Sequence, residues 1–342
     1  MSCFETETYL SQDTGVSYSL HVTNKCSSNN SKKLALLFVH GAGYSGRTWG
    51  PLVDLLTPKL EPGVCLVCPD LRGHGDTSAP DELDLSIETL VGDIESLYSE
   101  YLLNAGYDKV VLVGWSMGAA VAIKSALREP VSSHIVGLIA IDVVEGTAME
   151  SLKCMSGILA QRPKGFVSEE EAIEWALSSG TARRRESAQV SIPGMLKKVD
   201  GVVLEEGVNR HHSGGKPPKY PSWSMDSIQE EDSSSLNARE SEKKKSSSNK
   251  VLHYVWRTPL ALSEKYWEGW FSGLSSAFLS VPCPKLLLLA GHDRLDTTLM
   301  IAQMQGKFQM KVVPHSGHAV HEDQPEAVCE SIITFLTRYQ LV

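Results

Sequence analysis

The strongest constraint on the fold is a set of short apolar runs that are continuous rather than alternating. They are SYSLHV at 17–22, LALLFV at 34–39, VCLVC at 64–68, VVLVG at 110–114, VGLIAI at 136–141, KLLLLA at 285–290 and MKVV at 310–313. A strand that is apolar on both sides needs cover on both sides, as in a parallel sheet clothed by helices. Helical patterns separate several of these runs, at about 86–104, 117–128 and 323–338. In the last of them Asp323 reads as the N-cap, with Pro325 in the first turn. Strands alternating with helices predict a mainly parallel, doubly wound α/β sheet.

The alternation breaks between about 150 and 280. Residues 168–199 read as helical, with a capping box (Ser168, Glu171) and Gly180 as a stop. The stretch from about 205 to 250 is rich in Ser and Lys, and few of its residues could support a core. It reads as disordered. The aromatic segment 254–280 reads as ordered again. The chain is therefore expected to be one α/β core, residues 1–150 and 282–342, with an insertion at 151–281 between its sixth and seventh strands. With 342 residues, 42% of them hydrophobic, it can bury such a core.

Composition narrows the function classes. The formal charge of −9, from 41 acidic and 32 basic residues, gives no electrostatic case for nucleic acid or an anionic membrane. No apolar run approaches the ~18 residues of a membrane span. The opening MSCFETETYLSQDTG lacks the basic-then-apolar order of a signal peptide and the arginines of a transit peptide. Seven cysteines, an odd number, read as free thiols of a reducing, cytoplasmic compartment. Cys65 and Cys68 have CxxC spacing, but VCLVCPD reads as a core strand rather than a redox or metal motif. No metal site and no cofactor are expected. The run EKKK at 242–245 is the one candidate signal for nuclear entry.

Four motifs carry chemistry. Gly114-Trp115-Ser116-Met117-Gly118 is a GxSxG set between an apolar strand and an Ala-rich helix, where a serine sits on a tight turn with Oγ lifted clear. The N-terminus of the new helix favours negative charge developing beside it. His40-Gly41-Ala42-Gly43 follows another strand. Small residues there let backbone N–H groups of Ala42 or Gly43 join that of Met117 around a carbonyl oxygen. VVPHSGHAVHEDQP at 312–325 offers His315, His318 and His321, and His318, midway along the loop, is the expected base. The acid has competing places: Asp142 at one strand end, Asp293 or Asp296 at the next. Both strand ends border the nucleophile strand's edge, where open α/β sheets build their sites. Fold-level experience favours Asp293. DLRGHGDT at 70–77 reads as structural, with Asp70 and Arg72 tying loops together.

The order HGxG, DLRGHG, GxSxG and a late GHAVHED resembles the α/β-hydrolase superfamily. Longer strings, IDVVEGTAM at 141–149, EAIEWALSSG at 171–180, EKYWEGWFSGLSSAFLS at 264–280 and PKLLLLAGHDRLD at 284–296, are similar to the protein phosphatase methylesterase family. The resemblance runs from about residue 34 to the C-terminus, leaving out 205–250. It implies an α/β-hydrolase fold with a helical lid-like insertion, and a serine esterase. The implied substrate is the methylated C-terminal leucine of the catalytic subunit of 2A-type protein phosphatases, with the scaffold subunit as a further candidate partner. It places the acid at Asp142, the nucleophile at Ser116 and the base at His318. Trp115 and Ala119 depart from the pattern of animal members, which carry His and Gly there, and the Lys/Ser-rich stretch replaces a strongly acidic one. An acyl-side groove walled by 150–200 and 254–280, anchored by Trp267, Trp270 and Phe271, is expected, although these aromatics could equally pack the insertion onto the core. The rival readings are a general carboxylesterase or lipase on the same triad and a non-catalytic phosphatase-binding protein.

Overall fold

The computed structural model describes residues 4–23, 33–203, 251–291 and 295–342. The segment expected to be disordered, the EKKK run, Asp293, Cys3 and Cys26 lie outside the described residues. In chain order the strands are β1 (Glu5–Leu10), β2 (Ser17–Thr23), β3 (Leu34–Val39), β4 (Val64–Pro69), β5 (Lys109–Trp115), β6 (Ile135–Ile141), β7 (Leu196–Val203), β8 (Val251–Trp256), β9 (Lys285–Leu289) and β10 (Gln309–Val312). Among the described residues, eight form one sheet in the order β1-β2-β4-β3-β5-β6-β9-β10. From β4 to β10 neighbouring strands are parallel, and β1 and β2 join antiparallel at one edge.

Strand β1 is absent from the seven apolar runs because ETETYL is charged and largely exposed, as suits an edge. Counting it puts the break after the sixth strand of this sheet. The buried strands obey period-two geometry, with alternate residues entering opposite cores. Leu37, Leu112, Leu138 and Leu287 pack on one side, against a cluster that includes Leu90, Val121 and Phe278. Leu36, Val111, Ile139 and Leu288 pack on the other, with Leu52, Ile332 and Phe335. Cys65 and Cys68 are buried on opposite sides of β4, as a core strand requires.

Some boundaries differ from the sequence reading. The helix Glu145–Ala160 runs across residue 150, so the boundary expected there falls inside a helix. Residues 196–199, read as helical, open strand β7, which pairs antiparallel with β8. The Ser168 cap, whose Oγ accepts the Glu171 N–H at 3.2 Å, and the left-handed Gly180 bound the helix Glu169–Ser179 as expected, while the Glu171 carboxylate accepts the N–H of Val167 at 2.7 Å. Asp323 is not the cap of the last helix. Gln324 holds that place and Pro325 the first turn, while Asp323 Oδ2 accepts the N–H of Gly317 at 2.6 Å. Asp323 instead ends the short helix Val320–Asp323, one residue before that cap.

The elements between β6 and β9 are pinned to the core at the 70–82 loop. Arg257 donates to the carbonyls of Gly75 and Thr77, each at 2.9 Å, and pairs with Glu82 at 2.9 Å. Thr258 Oγ1 donates to Gly73 O at 2.8 Å. Glu145 also joins two segments, because its carboxylate accepts the N–H groups of Gly273 (2.8 Å) and Ser275 (3.0 Å) at the start of the helix Leu274–Ser280.

Candidate active site

Ser116 sits between β5 and the helix Met117–Ser125 at φ 55°, ψ −123°, a conformation that a non-glycine residue adopts only under tertiary constraint. The motif glycines make that turn possible. A Cβ on Gly118 would stand 2.2 Å from Val39 O, and one on Gly114 would stand 2.5 Å from Ala119 Cα. The helix must pack that closely to bring its first N–H under the serine.

Asp142 follows β6, directly beside β5 in the sheet. It too has positive φ, 46°, and is buried. Its N–H donates to Leu288 O at 2.7 Å, and its Oδ1 accepts the N–H of Ala290 at 3.0 Å. The strand end of β9 therefore fixes the carboxylate and leaves Oδ2 pointing to the histidine loop. His318 Nδ1 donates to Asp142 Oδ2 at 2.8 Å, and its Nε2 accepts from Ser116 Oγ at 3.0 Å. The imidazole is 38% exposed while the Asp142 side chain is fully covered, so the ring faces the cavity and the charge lies behind it. Of the competing acids, Asp296 accepts the N–H of Leu299 at 2.8 Å as the N-cap of the helix Thr297–Met304, a duty that occupies it.

His315 lies near the strand at φ 61° and the side chain of His321 is fully buried, while the histidine bonded to Ser116 is His318. His321 and Glu322 meet the Thr48 hydroxyl in a closed polar cluster, His321 at 2.8 Å. Burial drives the His321 pKa well below the ordinary histidine value, so the ring is neutral. His40 and His74 are neutral struts as well: burial holds them at about 4 and about 3. His40 Nδ1 donates to Gly41 O and its Nε2 accepts from Leu71 N–H at 2.9 Å. His74 Nδ1 donates to Arg72 O and its Nε2 accepts from Gly43 N–H at 2.9 Å.

That last bond corrects one expectation. The Gly43 N–H is committed to His74, which leaves Ala42 and Met117, both lining the cavity with Ser116, as the candidate N–H donors. Neither makes a backbone or side-chain hydrogen bond to another loop or strand among the described residues. The DLRGHGDT loop has a structural part in this. Asp70 accepts from Gly46 N–H at 2.7 Å and from Asp76 N–H at 2.9 Å, and Arg72 forms a two-pronged pair with Asp93 at 2.7 and 2.8 Å. Burial alone would raise the Asp70 carboxyl, but the bond and charge of His21 outweigh it and hold the pKa below the usual range.

Trp115, which stands where the animal members carry His, bridges the two loops of the site. Its indole Nε1 donates to the backbone carbonyl of His318 at 2.8 Å, and its ring lies against Tyr44 at 4.7 Å between centroids. It thus ties the strand carrying the serine to the loop carrying the histidine. The bulky aromatic between two small motif residues was the available signal.

The serine and histidine open into a cavity of about 430 Å³. Trp267, Trp270 and Phe271 line it together with Leu152, Met155 and Leu260. The same three aromatics are buried and anchored. Trp267 Nε1 donates to Ser263 Oγ at 2.9 Å, and Trp270 Nε1 to Leu85 O at 2.6 Å. They are cavity wall and packing at once. No group of metal-ligating side chains occurs among the described residues, and no described helix is long and apolar enough to cross a membrane.

A serine held on a strand-to-helix turn, within hydrogen-bond reach of a carboxylate-backed histidine at the carboxyl edge of a mainly parallel sheet, defines an α/β hydrolase. The model of the alpha/beta hydrolase family matches residues 36–331. Solved structures of the same fold include E-2-(acetamidomethylene)succinate hydrolase, with a TM-score of 0.66, 17% identity, and 98% and 99% of the two chains covered. An esterase of M. tuberculosis gives a TM-score of 0.60 at 18% identity, covering 98% of this chain and 93% of that one.

Sequence relatives narrow the class. The chain is 43% identical over 311 residues to protein phosphatase methylesterase 1 of Mus musculus, covering 89% of this chain and 76% of that protein. It is 40% identical over 303 residues to the probable protein phosphatase methylesterase 1 of Caenorhabditis elegans, covering 89% and 69%. The chain belongs to the protein phosphatase methylesterase family.

Proposed function

We propose that this chain removes the methyl ester from the C-terminal leucine of the catalytic subunit of a 2A-type protein phosphatase. The observation that carries the reading is the unbroken run of hydrogen bonds from Asp142 through His318 to Ser116, opening on a largely apolar cavity, in a chain whose relatives are named protein phosphatase methylesterase 1. The scaffold subunit is a further candidate contact.

In this reading His318 Nε2 takes the Ser116 proton as Oγ attacks the ester carbonyl carbon. The carbonyl oxygen becomes an oxyanion held by the N–H groups of Ala42 and Met117, at the N-terminus of the helix Met117–Ser125. Asp142 stabilises the imidazolium and fixes its orientation. The C–O bond to the methoxy group breaks, His318 returns its proton, and methanol leaves. Water then attacks the acyl-serine with His318 as base, which frees the carboxylate and restores Ser116. Methanol is small, so the demand for space falls on the acyl side, where the aromatic and aliphatic walls supply it.

The test is release of methyl label from methylated phosphatase, with p-nitrophenyl butyrate as a small-ester comparison. Wild type should turn over both, and Ser116→Ala neither. Asp142→Asn should lose on the order of 10⁴-fold in kcat, while Asp293→Asn should keep its turnover. Hydrolysis of the small ester with no release from methylated phosphatase would favour a general carboxylesterase. Loss of turnover in Asp293→Asn alone would move the acid to the next strand.

A further inference from the structure

Among the described residues, one charged side chain of the cavity, Arg162, makes no ion pair. Arg162 lies just past the helix Glu145–Ala160 and lines the cavity beside the oxyanion loop; one guanidinium nitrogen is 4.0 Å from where a Cβ on Gly43 would stand. Its guanidinium stacks on Trp256, 5.0 Å from the ring centroid. Its Nε is buried with no hydrogen-bond partner among the described residues. Other described arginines are paired: Arg184 with Glu326 at 2.8 Å, Arg185 with Glu170 at 3.1 Å, and Arg257 with Glu82 at 2.9 Å.

A partly buried cation that gives up water without gaining an anion is costly, and such groups are ordinarily paired. The site is also built in advance. Trp256 Nε1 donates to Pro163 O at 2.8 Å, and its ring packs edge-on against Phe166 and Trp175 at 5.5 and 5.4 Å, so the platform under the guanidinium is fixed. The other charged groups on the cavity wall are Arg183 and Asp323, 3.8 Å apart, with the Asp323 carboxylate turned to the Gly317 N–H. The cavity wall thus carries two guanidinium groups and one carboxylate, in a chain of net charge −9. Such a contrast selects ligands by charge.

A methyl ester carries no charge, so the reacting group itself cannot satisfy Arg162. Resting on the methylesterase reading, we propose that Arg162 is a specificity site for a carboxylate carried by a side chain upstream of the ester, and that the preferred substrate is an acidic C-terminal peptide. The planar guanidinium suits a two-pronged hold on a carboxylate. The freed terminal carboxylate of the product offers the same chemistry, and the experiment separates the two.

A set of peptides ending in leucine methyl ester is made with one glutamate walked through the five residues before the ester, against an all-glutamine parent. Wild type should prefer glutamate at one position by about tenfold in kcat/KM. In Arg162→Met the ratio should fall to near one, and in Arg162→Lys it should be intermediate. Each ratio is taken within one variant, so a partly folded preparation does not alter it. No preference at any position in wild type, or a preference kept in Arg162→Met, overturns the proposal. So does an Arg162→Met variant that only relieves inhibition by the demethylated parent peptide. A parallel pair, the p-nitrophenyl monoester of glutarate and p-nitrophenyl pentanoate, reads the same charge preference on activated esters. If that preference depends on Arg162 while no peptide methyl ester is hydrolysed, the carboxylate site stands and the methylesterase reading fails.

Discussion

Glu322 is the position where pH should act most plainly on stability. Its side chain is 1% exposed, it meets the Thr48 hydroxyl, and its Oε2 has no hydrogen-bond partner among the described residues. Burial, with Asp323 adding to it, pushes the carboxyl from 4.5 up to about 8, against the opposing pull of the Thr48 hydroxyl. Between those two values the folded chain keeps a proton that the unfolded chain has lost. Stability is therefore whole below about pH 4.5 and falls as pH rises toward 8. At pH 7.5 the gap spans about three pH units, or ~4 kcal/mol at ~1.4 kcal/mol per unit. Glu322→Gln keeps the volume and an acceptor toward Thr48 but cannot ionise. It should be the more stable protein at pH 7.5, by about 2–4 kcal/mol, which for a chain of 342 residues raises Tm by about 3–6 °C. At pH 5 the two proteins should melt within about a degree of each other. Thermal unfolding followed by circular dichroism at pH 5, 6, 7 and 8 reads this directly. A gain that is the same at every pH would refute the reasoning, because it would come from packing and not from ionisation. A variant less stable than wild type at pH 7.5 would refute it outright.

Two further outcomes follow from the struts around the serine. His74→Ala removes the acceptor of the Gly43 N–H and loosens the loop that presents Ala42, so kcat should fall by on the order of 10- to 100-fold with KM changed little; a loss seen mainly in KM would argue that the strut shapes the pocket instead. Trp115→Phe keeps the ring and deletes the Nε1–H that holds the His318 carbonyl, so kcat should fall about tenfold and labelling of Ser116 by a fluorophosphonate should slow in step; unchanged labelling would show that the loop holds His318 without the indole.

The sheet was legible because its central strands are covered on both sides. LALLFV, VVLVG and VGLIAI cannot form amphipathic helices of useful length, and each is fully or almost fully buried. Strand β1 was not legible, because ETETYL sits at an edge and carries no apolar signature. Strand β7 was lost for a different reason. LKKVDGVV has neither a clean alternation nor a continuous apolar run, and it takes strand form by pairing with β8. Its state is decided by a partner more than forty residues away, which local pattern cannot report.

The site divides along the same line between local and nonlocal information. GxSxG was readable because its glycines answer contacts within one turn and one neighbouring strand. The choice among acids was not. β6 and β9 are adjacent in the sheet, so strand order alone puts Asp142 and the residues after β9 at the same edge. What distinguishes Asp142 is its positive φ and the Ala290 N–H on its Oδ1, both consequences of tertiary packing. Asp296 could have been set aside from local pattern, since Asp-Thr-Thr-Leu reads as a helix cap and is one. Gly43 was misassigned because the His74 that occupies its N–H lies 31 residues along the chain. A motif can identify the loop that brings donors to an oxyanion. Which N–H in that loop is still free depends on bonds made from elsewhere in the fold.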